Sequence, residues 1–197
     1  MATPESLQGA AQTIEVLSEG WPKRLTTFLL KLDLVLAQSH SMESYCQVIL
    51  QAIDAVAITE TAYKAITHGI HSLASKNLAK LACNCLDSLI TKRLLPIELG
   101  DWLDQTFVTR LYVTVHIGSA LDEDAVSGIR HLLDAIAKEI PRTFSPRTTL
   151  AAQLFLWKAS ETLYSQENYR LSSAWCRLAL HMVFDRSGES NLAKICR

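Results

Sequence analysis

Apolar residues recur along most of the chain at intervals of three and four residues, which is the spacing of one face of an α-helix. Short polar turns, Gly or Pro separate these periodic segments, and helix starts recur about every 17 to 25 residues. The alternation of Val113, Val115 and Ile117 is compatible with a strand, but it lies in a run long enough to favour helix. The pattern predicts an all-α fold.

Six segments between residues 21 and 140 each present a clear apolar stripe, and a weaker helix precedes them within residues 1–20. Ser41 and Thr59 are expected to cap the helices that follow them. The stripes expected to face the core are Leu25, Phe28, Leu29, Leu32 and Leu36; Tyr45, Ile49, Ala52, Ile53 and Val56; Ala62, Ile66, Gly69, Ile70 and Leu73; Leu78, Leu81, Ala82, Cys85 and Leu89; Leu99, Leu103, Phe107, Leu111 and Thr114; and Val126, Ile129, Leu133, Ile136 and Ile140.

Residues 147–184 predict the clearest helical hairpin, which Ser145-Pro146 opens as a cap followed by Pro in the first turn. The stripe expected to face inward on its first helix is Leu150, Leu154, Trp157 and Tyr164. A polar turn over residues 165–168 follows, with Asn168 as the expected cap of the second helix. The stripe expected on that helix is Leu171, Ala174, Trp175, Leu178, Ala179, Met182 and Val183.

Small side chains are expected where the two helices of this hairpin touch, as in a tetratricopeptide (TPR) repeat. They are Ala159 and Ser160 on the first helix and Ser172, Ala174 and Ala179 on the second. The rings of Trp157, Tyr164, Tyr169 and Trp175 are then expected to fill the space around these contacts. The sequence therefore predicts antiparallel hairpins stacked as a TPR-like α-solenoid over residues 21–197, after an N-terminal segment of residues 1–20. A closed helical bundle is the alternative architecture.

Composition agrees with a folded helical protein, because 49% of the residues are apolar and 20% are charged. The formal net charge of −1 creates no global field that would attract nucleic acid or an anionic membrane. No secretory signal and no apolar run long enough to span a bilayer is visible. Five Cys residues without a disulfide framework suggest reduced thiols in the nucleus or cytosol.

Residues that could carry chemistry do not converge in the sequence. His68 and His71 can share a helix face but lack a third ligand at metal-binding spacing. Asp101 and Asp104 are interpreted as solvent-facing carboxylates of a first helical turn. Cys83 and Cys85 point in different directions on a helix and are interpreted as packing residues. No catalytic, cofactor-binding or metal-binding residue is therefore predicted, and no cofactor.

Two further features of the C-terminal region have a structural interpretation. His181 has no nucleophile at a defined distance and is expected to pack in its helix. Five basic residues could form a stripe for DNA, but no base-reading helix accompanies them, so a solvated face is favoured and direct nucleic-acid binding is not expected. They are Arg170, Arg177, Arg186, Lys194 and Arg197.

The C-terminal quarter of the chain resembles the signature segment of the meiosis-specific tetratricopeptide-repeat scaffold family, the sporulation-twenty-two/zip-four type. Family members are longer than this chain, so the resemblance suggests a fragment. The residues that carry the resemblance are Ala174, Trp175, Ala179, Leu180, His181, Phe184, Gly188, Asn191, Lys194 and Arg197.

The resemblance implies a nuclear, non-enzymatic scaffold that binds other proteins on meiotic chromosomes during crossover formation and synaptonemal-complex assembly. Without the resemblance, the residues alone leave a generic helical adaptor or a compact helical bundle binding a small apolar ligand as alternatives. A superhelix with an open groove would support the scaffold, and a closed bundle with a polar-lined cavity would support ligand binding.

Overall fold

A computed structural model describes residues 4–20, 24–37, 41–96, 100–118, 121–139 and 144–184. Within these ranges the protein is all-helical and contains no strand, as the apolar spacing predicts. The α-helices are α1 (Pro4–Gly20), α2 (Leu25–Ala37), α3 (Met42–Ala55), α4 (Glu60–Ser75), α5 (Ala79–Leu89), α6 (Gly100–Tyr112), α7 (Glu123–Glu139), α8 (Pro146–Ser165) and α9 (Tyr169–Phe184). Two π-helical segments, Ile90–Leu94 and Val113–Ile117, directly follow α5 and α6.

Serine, threonine and aspartate side chains begin several of these helices by accepting hydrogen bonds from otherwise unpaired backbone N–H groups. Ser41 caps α3 through the N–H of Ser44, and Thr59 caps α4 through the N–H of Ala62 at 3.2 Å. Asp122 accepts from the N–H of Ala125 at 2.8 Å at the start of α7. The predicted caps at Ser41 and Thr59 are confirmed.

The chain divides into two compact units, residues 1–93 and residues 94–197. In the N-terminal unit, α1 packs on α2, α2 on α3, and α3 on both α4 and α5. Gly69 lets α4 approach α3 closely, since a Cβ atom built there would lie only 3.2 Å from Ile49 Cδ1. The predicted core stripes of α3 and α4 are buried throughout. On α2, however, only Phe28 and Leu32 of the expected stripe are buried.

In the C-terminal unit, α8 packs on α9 and on α6, and α7 packs on α9. Phe107 of α6 stacks on Phe144, with ring centroids 4.8 Å apart. The predicted stripes of α6 and α7 are buried at every described position, whereas Leu99 and Ile140 lie outside the described residues. Both architectures expected from the sequence, the solenoid and the closed bundle, are compatible with these helix contacts.

Candidate interaction surface

The closest helix pair of the C-terminal unit is α8 with α9, and two serines join them. Ser160 Oγ donates to the carbonyl oxygen of Ser172 at 2.9 Å, and Ser172 Oγ donates to the carbonyl oxygen of Ser160 at 2.9 Å. Both side chains are buried, as are Ala159 and Ala179 nearby. The expectation of small residues at the helix contact is confirmed at Ser160 and Ser172. Ala159 and Ala179 are buried, and Ala174 is half-buried.

In the turn between α8 and α9, one residue adopts the left-handed backbone conformation just after α8 ends. The N–H of Asn168 bonds to the carbonyl oxygen of Leu163 at 2.9 Å, and the N–H of Glu167 to that of Tyr164 at 3.0 Å. Glu167 has a positive φ of 61°. These two bonds and the left-handed residue define a Schellman motif, which satisfies carbonyl groups that a helix end leaves unpaired. Asn168 then caps α9 through the N–H of Leu171, as predicted.

The same turn joins α4 to α5 in the N-terminal unit. The N–H of Leu78 bonds to the carbonyl oxygen of Leu73 at 3.1 Å, and that of Asn77 to Ala74 at 3.0 Å, with φ of 60° at Asn77. The two hairpins correspond at a constant offset of 90 residues, from Leu73 to Leu163. Positions buried in both are Ala62/Ala152, Ile66/Leu156, Gly69/Ala159, Ile70/Ser160, Leu73/Leu163, Ala82/Ser172, Cys85/Trp175 and Leu89/Ala179.

The outward face of α8 is apolar, and here the sequence interpretation was wrong. Leu150, Leu154, Trp157 and Tyr164 expose between 58% and 65% of their surface instead of facing the core. The buried face of α8 is made instead of Thr148, Ala152, Leu156, Ala159, Ser160 and Leu163. Both faces of α8 carry apolar residues at helical spacing, so periodicity alone could not decide which one is buried.

Tyr169, the first residue of α9, extends this outward face. Its ring lies edge-on to that of Tyr164, with centroids 5.2 Å apart, and is 57% exposed. We name the five residues Leu150, Leu154, Trp157, Tyr164 and Tyr169 the α8 ridge. Of the four rings expected to fill the hairpin interior, only Trp175 does so, with no exposed surface.

At three of the five ridge positions, the equivalent residues of α4 are polar, whereas Tyr164 and Tyr169 correspond to Ala74 and Ala79. The positions that correspond to Leu150, Leu154 and Trp157 are Glu60, Lys64 and Thr67. Lys64 Nζ and Glu60 Oε1 form an exposed ion pair at 2.6 Å, which lowers the pKa of Glu60 through the hydrogen bond and the charge of Lys64. The same hairpin design therefore tolerates an ordinary solvated surface at these positions.

Asp104 of α6 fixes the beginning of α8. Its Oδ2 accepts hydrogen bonds from the backbone N–H of Ser145 at 3.0 Å and from Thr148 Oγ1 at 2.9 Å. Ser145 itself caps α8 through the N–H of Thr148, with Pro146 in the first turn, as predicted. The interpretation of Asp104 as a solvent-facing carboxylate was wrong, because it is buried between the two helices. Asp101 is exposed.

Three aromatic rings meet where the π-helical segment after α6 lies beside α8. Tyr112 is 5.1 Å from His116, His116 is 5.5 Å from Phe155, and Tyr112 is 6.1 Å from Phe155, measured between ring centroids. Tyr112 and His116 are exposed, and Phe155 is half-buried. We name these residues the aromatic cluster. Sequence reasoning missed it, although π-helical turns recur at functional sites and the Tyr112–His116 spacing places both rings on one helical side.

No described group of three or more His, Cys, Asp or Glu residues is arranged to hold a metal ion. His68 and His71 are exposed on α4. Cys83 and Cys85 are both buried, and Cys85 Sγ lies 3.4 Å from Cys46 Sγ of α3. Burial, and secondly the neighbouring Cys46, raise the pKa of the Cys85 thiol. None of Cys46, Cys83, Cys85 and Cys176 forms a disulfide bond.

The predicted basic stripe is described only in part. Arg170 pairs with Glu123 of α7 at 3.0 Å, and Arg177 is exposed. Arg186, Lys194 and Arg197 lie outside the described residues, as does the side chain of His181. Of the helices that the structure describes, none combines the length and the apolar character needed to cross a membrane.

Comparison with protein-family models identifies the chain over residues 1–181, where it matches the family described as "Meiosis protein SPO22/ZIP4 like". The chain belongs to the SPO22/ZIP4-like family of meiosis proteins. The resemblance seen in the C-terminal quarter of the sequence thus extends over α1 to α8 and most of α9. Searches of curated proteins and of solved structures find no match.

Membership of the SPO22/ZIP4-like family bears on the partners of this chain and on its two surface features. A family of meiosis proteins suggests partners among proteins of meiotic chromosomes. The residues of both the α8 ridge and the aromatic cluster lie within the matched segment, residues 1–181.

Proposed function

We propose that this chain is a non-enzymatic scaffold that binds other proteins on meiotic chromosomes in the nucleus. The observation that carries the proposal is the match of residues 1–181 to the SPO22/ZIP4-like meiosis family. The proposed scaffold is a TPR-like solenoid of residues 21–197, with residues 1–20 as a preceding segment. In support, α8 and α9 pack on each other, and each of them also packs on an earlier helix, α8 on α6 and α9 on α7, as helices stacked in an array do.

The aromatic cluster is the proposed docking point for a partner protein. Tyr112 and His116 present exposed rings beside α8, with Phe155 half-buried between them and the core. Tyr and other amphipathic rings supply large contact area and a polar edge, which is why they are enriched in protein interfaces. Neighbouring helices of a repeat array form the grooves in which peptides and partner helices dock.

The test is affinity capture with the tagged full chain from cells in meiosis and from dividing non-meiotic cells. Wild-type protein is expected to retain meiotic chromosome proteins only from the meiotic extract. Tyr112→Asp, which places a charge in the aromatic cluster, is expected to release them, because an unpaired charge at an aromatic contact must be desolvated. Arg177→Asp, a change on the exposed face of α9, is the matched control and is expected to retain them.

Capture of the same proteins by Tyr112→Asp would remove the aromatic cluster from the proposal. Absence of any meiotic chromosome protein from the wild-type capture would contradict the scaffold function itself. Circular dichroism of each variant should match the wild-type helical signal, since Tyr112 and Arg177 are both exposed.

A further inference from the structure

Two buried thiols from different helices of the N-terminal unit lie in direct contact. Cys46 Sγ of α3 is 3.4 Å from Cys85 Sγ of α5, and the two residues are 39 positions apart in the sequence. Cys46 exposes 3% of its surface and Cys85 none. Because bonded sulfur atoms lie about 2 Å apart, a closure of about 1.4 Å separates these two thiols from a disulfide.

The packing of the hairpin does not require a thiol at Cys85. The equivalent residue of the α8/α9 hairpin is Trp175, which is equally buried. A position that holds an indole in one hairpin and a thiol in the other is not restricted to Cys by this kind of fold. Cysteine differs from other small apolar residues in its reactivity, and here two of them meet across a helix contact.

The contact selects Cys85 over the neighbouring Cys83. Both residues lie on α5 and both are buried. Positions two apart on a helix point to different sides, so the two thiols do not face α3 together. Cys83 therefore provides a matched control for any reaction between Cys46 and Cys85.

We propose that Cys46 and Cys85 form a reversible disulfide when the chain is exposed to a peroxide, and that this bond locks α3 to α5. Both helices belong to the N-terminal unit, and α4 separates them in the chain. The bond would therefore fix a contact between helices that no single turn joins. This inference goes beyond the proposed scaffold function and does not depend on it.

The chemistry needs one hydrogen peroxide molecule, which reaches the pair when the unit opens locally. The thiolate of Cys46, the more exposed of the two, attacks a peroxide oxygen. The O–O bond breaks, Cys46 becomes a sulfenic acid, and the released hydroxide takes a proton to form water. The Cys85 sulfur then attacks the Cys46 sulfur, and the displaced hydroxyl group leaves as water with the proton of Cys85. Two thiols and one peroxide thus give one disulfide and two waters, and two electrons pass from sulfur to oxygen.

The surroundings of Cys85 suit the second step better than the first. Burial, and secondly the neighbouring Cys46, raise the pKa of the Cys85 thiol, so it stays protonated and is a poor first target for peroxide. The same thiol already touches Cys46 Sγ. This proximity favours Cys85 over a second peroxide as the group that reacts with the sulfenic acid. Oxidation is therefore expected to be slow and to stop at the disulfide, before sulfinic acid forms.

The test is peroxide treatment of the reduced, purified full chain under native conditions. Remaining thiols are then alkylated, and the chain is digested with trypsin and analysed by mass spectrometry without reductant. Trypsin cuts after Lys and Arg, so Cys46 falls in the peptide 32–64, and Cys83 and Cys85 fall in the peptide 81–92. The wild-type chain is expected to give these two peptides joined by one disulfide, which a thiol reductant separates.

Three alanine variants assign the bond. Cys46→Ala and Cys85→Ala are each expected to lose the joined peptides, whereas Cys83→Ala is expected to keep them. Fragmentation of the joined peptides also assigns the bond to Cys83 or Cys85 in the wild-type chain itself, so the proposal is tested even where a variant does not fold. Absence of the joined peptides from the wild type, a bond to Cys83, or sulfinic acid at Cys46 in place of the disulfide would each overturn the proposal.

The lock is read by hydrogen exchange of the reduced and the oxidised wild-type chain. A disulfide across 39 positions restricts the opened states of the unit. Amides of α3 and α5 are therefore expected to exchange at least about tenfold more slowly in the oxidised chain. Amides of α8 and α9, which the bond does not join, are the internal reference and should not change. Joined peptides with unchanged exchange in α3 and α5 would overturn the lock.

Discussion

The two hairpins α4/α5 and α8/α9 share one design and differ in what they show to solvent. Both turn through a Schellman motif with a left-handed residue, and both bury the equivalent eight positions. On the outward face, α4 carries an ion pair between Glu60 and Lys64 where α8 carries Leu150 and Leu154. The hairpin with α4 folds with charged residues at these two positions, so Leu150 and Leu154 are not required for the fold of such a hairpin.

The interiors of the two hairpins also differ, in a compensating way. In the α4/α5 hairpin, the first helix contributes the large Ile70 and the second the small Cys85. In the α8/α9 hairpin, the first helix contributes the small Ser160 and the second the large Trp175. All four positions are buried. Close-packed interiors tolerate redistribution of volume better than a change in its total. The two hairpins therefore solve one packing problem with opposite distributions of size.

The largest expected effect on stability comes from truncating the buried side chains at the equivalent positions Trp175 and Cys85. Trp175→Ala is expected to destabilise the C-terminal unit by about 3–5 kcal/mol, because it leaves a cavity where a fully buried indole had been. Cys85→Ala is expected to cost about 1 kcal/mol, since only one heavy atom is lost. Hydrogen exchange read by mass spectrometry should show the loss of protection in α8 and α9 for the first variant.

This readout assigns each effect to its own unit, which a single melting temperature for a two-unit chain does not. Equal protection in Trp175→Ala and wild type would mean that Trp175 is not a packing anchor of this hairpin. The comparison between hairpins would fail if Cys85→Ala were the more damaging of the two substitutions.

The second prediction compares opposite changes in side-chain size at the equivalent positions Ser160 and Ile70. Ser160→Val is expected to cost about 1–3 kcal/mol, because added methyl groups must fit where Ser160 Oγ lies 3.0 Å from Ser172 Oγ. At the equivalent Ile70, the opposite change should be harmful: Ile70→Val loses a methylene group and is expected to cost about 0.5–1.5 kcal/mol. Chemical denaturation, monitored by hydrogen exchange in each unit, measures both losses of stability.

Ser160→Ala separates crowding from hydrogen bonding at the same site. It removes the bond to the Ser172 carbonyl without adding volume, and is expected to cost about 1 kcal/mol. A larger loss in Ser160→Ala than in Ser160→Val would show that the hydrogen bonds, and not the small size of the serines, hold α8 against α9.

The helices, their caps and much of the core follow from the sequence because these features are local. The stripes of α3 and α4 and the caps at Ser41, Thr59 and Ser145 depend on residues within one or two turns, and each is found where expected. Small residues at the α8/α9 contact were also predictable, since close helix approach requires them. Local spacing therefore carries the fold class and most of the interior.

The exposed surface of α8 could not be predicted from the sequence, because α8 has apolar residues on two opposite faces. Helical spacing predicted Leu150, Leu154 and Trp157 as interior residues, yet α8 contacts α9 through Ser160. Only the partner helix decides between the faces, and periodicity does not contain it. Asp104 was misplaced for the same reason, because its hydrogen bonds to Ser145 and Thr148 cross between helices far apart in sequence.

The smallest expected effect lies in the turns, where the hairpins share a backbone and differ in one side chain. Glu167 and Asn77 hold the same left-handed conformation, with φ of 61° and 60°. This conformation is costly for Glu, tolerated by Asn and free for Gly. Glu167→Gly is therefore expected to stabilise its hairpin by about 0.5–1 kcal/mol, whereas Asn77→Gly should change stability little.

Denaturation midpoints of the two glycine variants measure this difference. Destabilisation by Glu167→Gly would show that the carboxylate of Glu167 contributes more to the turn than its backbone conformation costs. The two turns would then share a shape without sharing its physical origin.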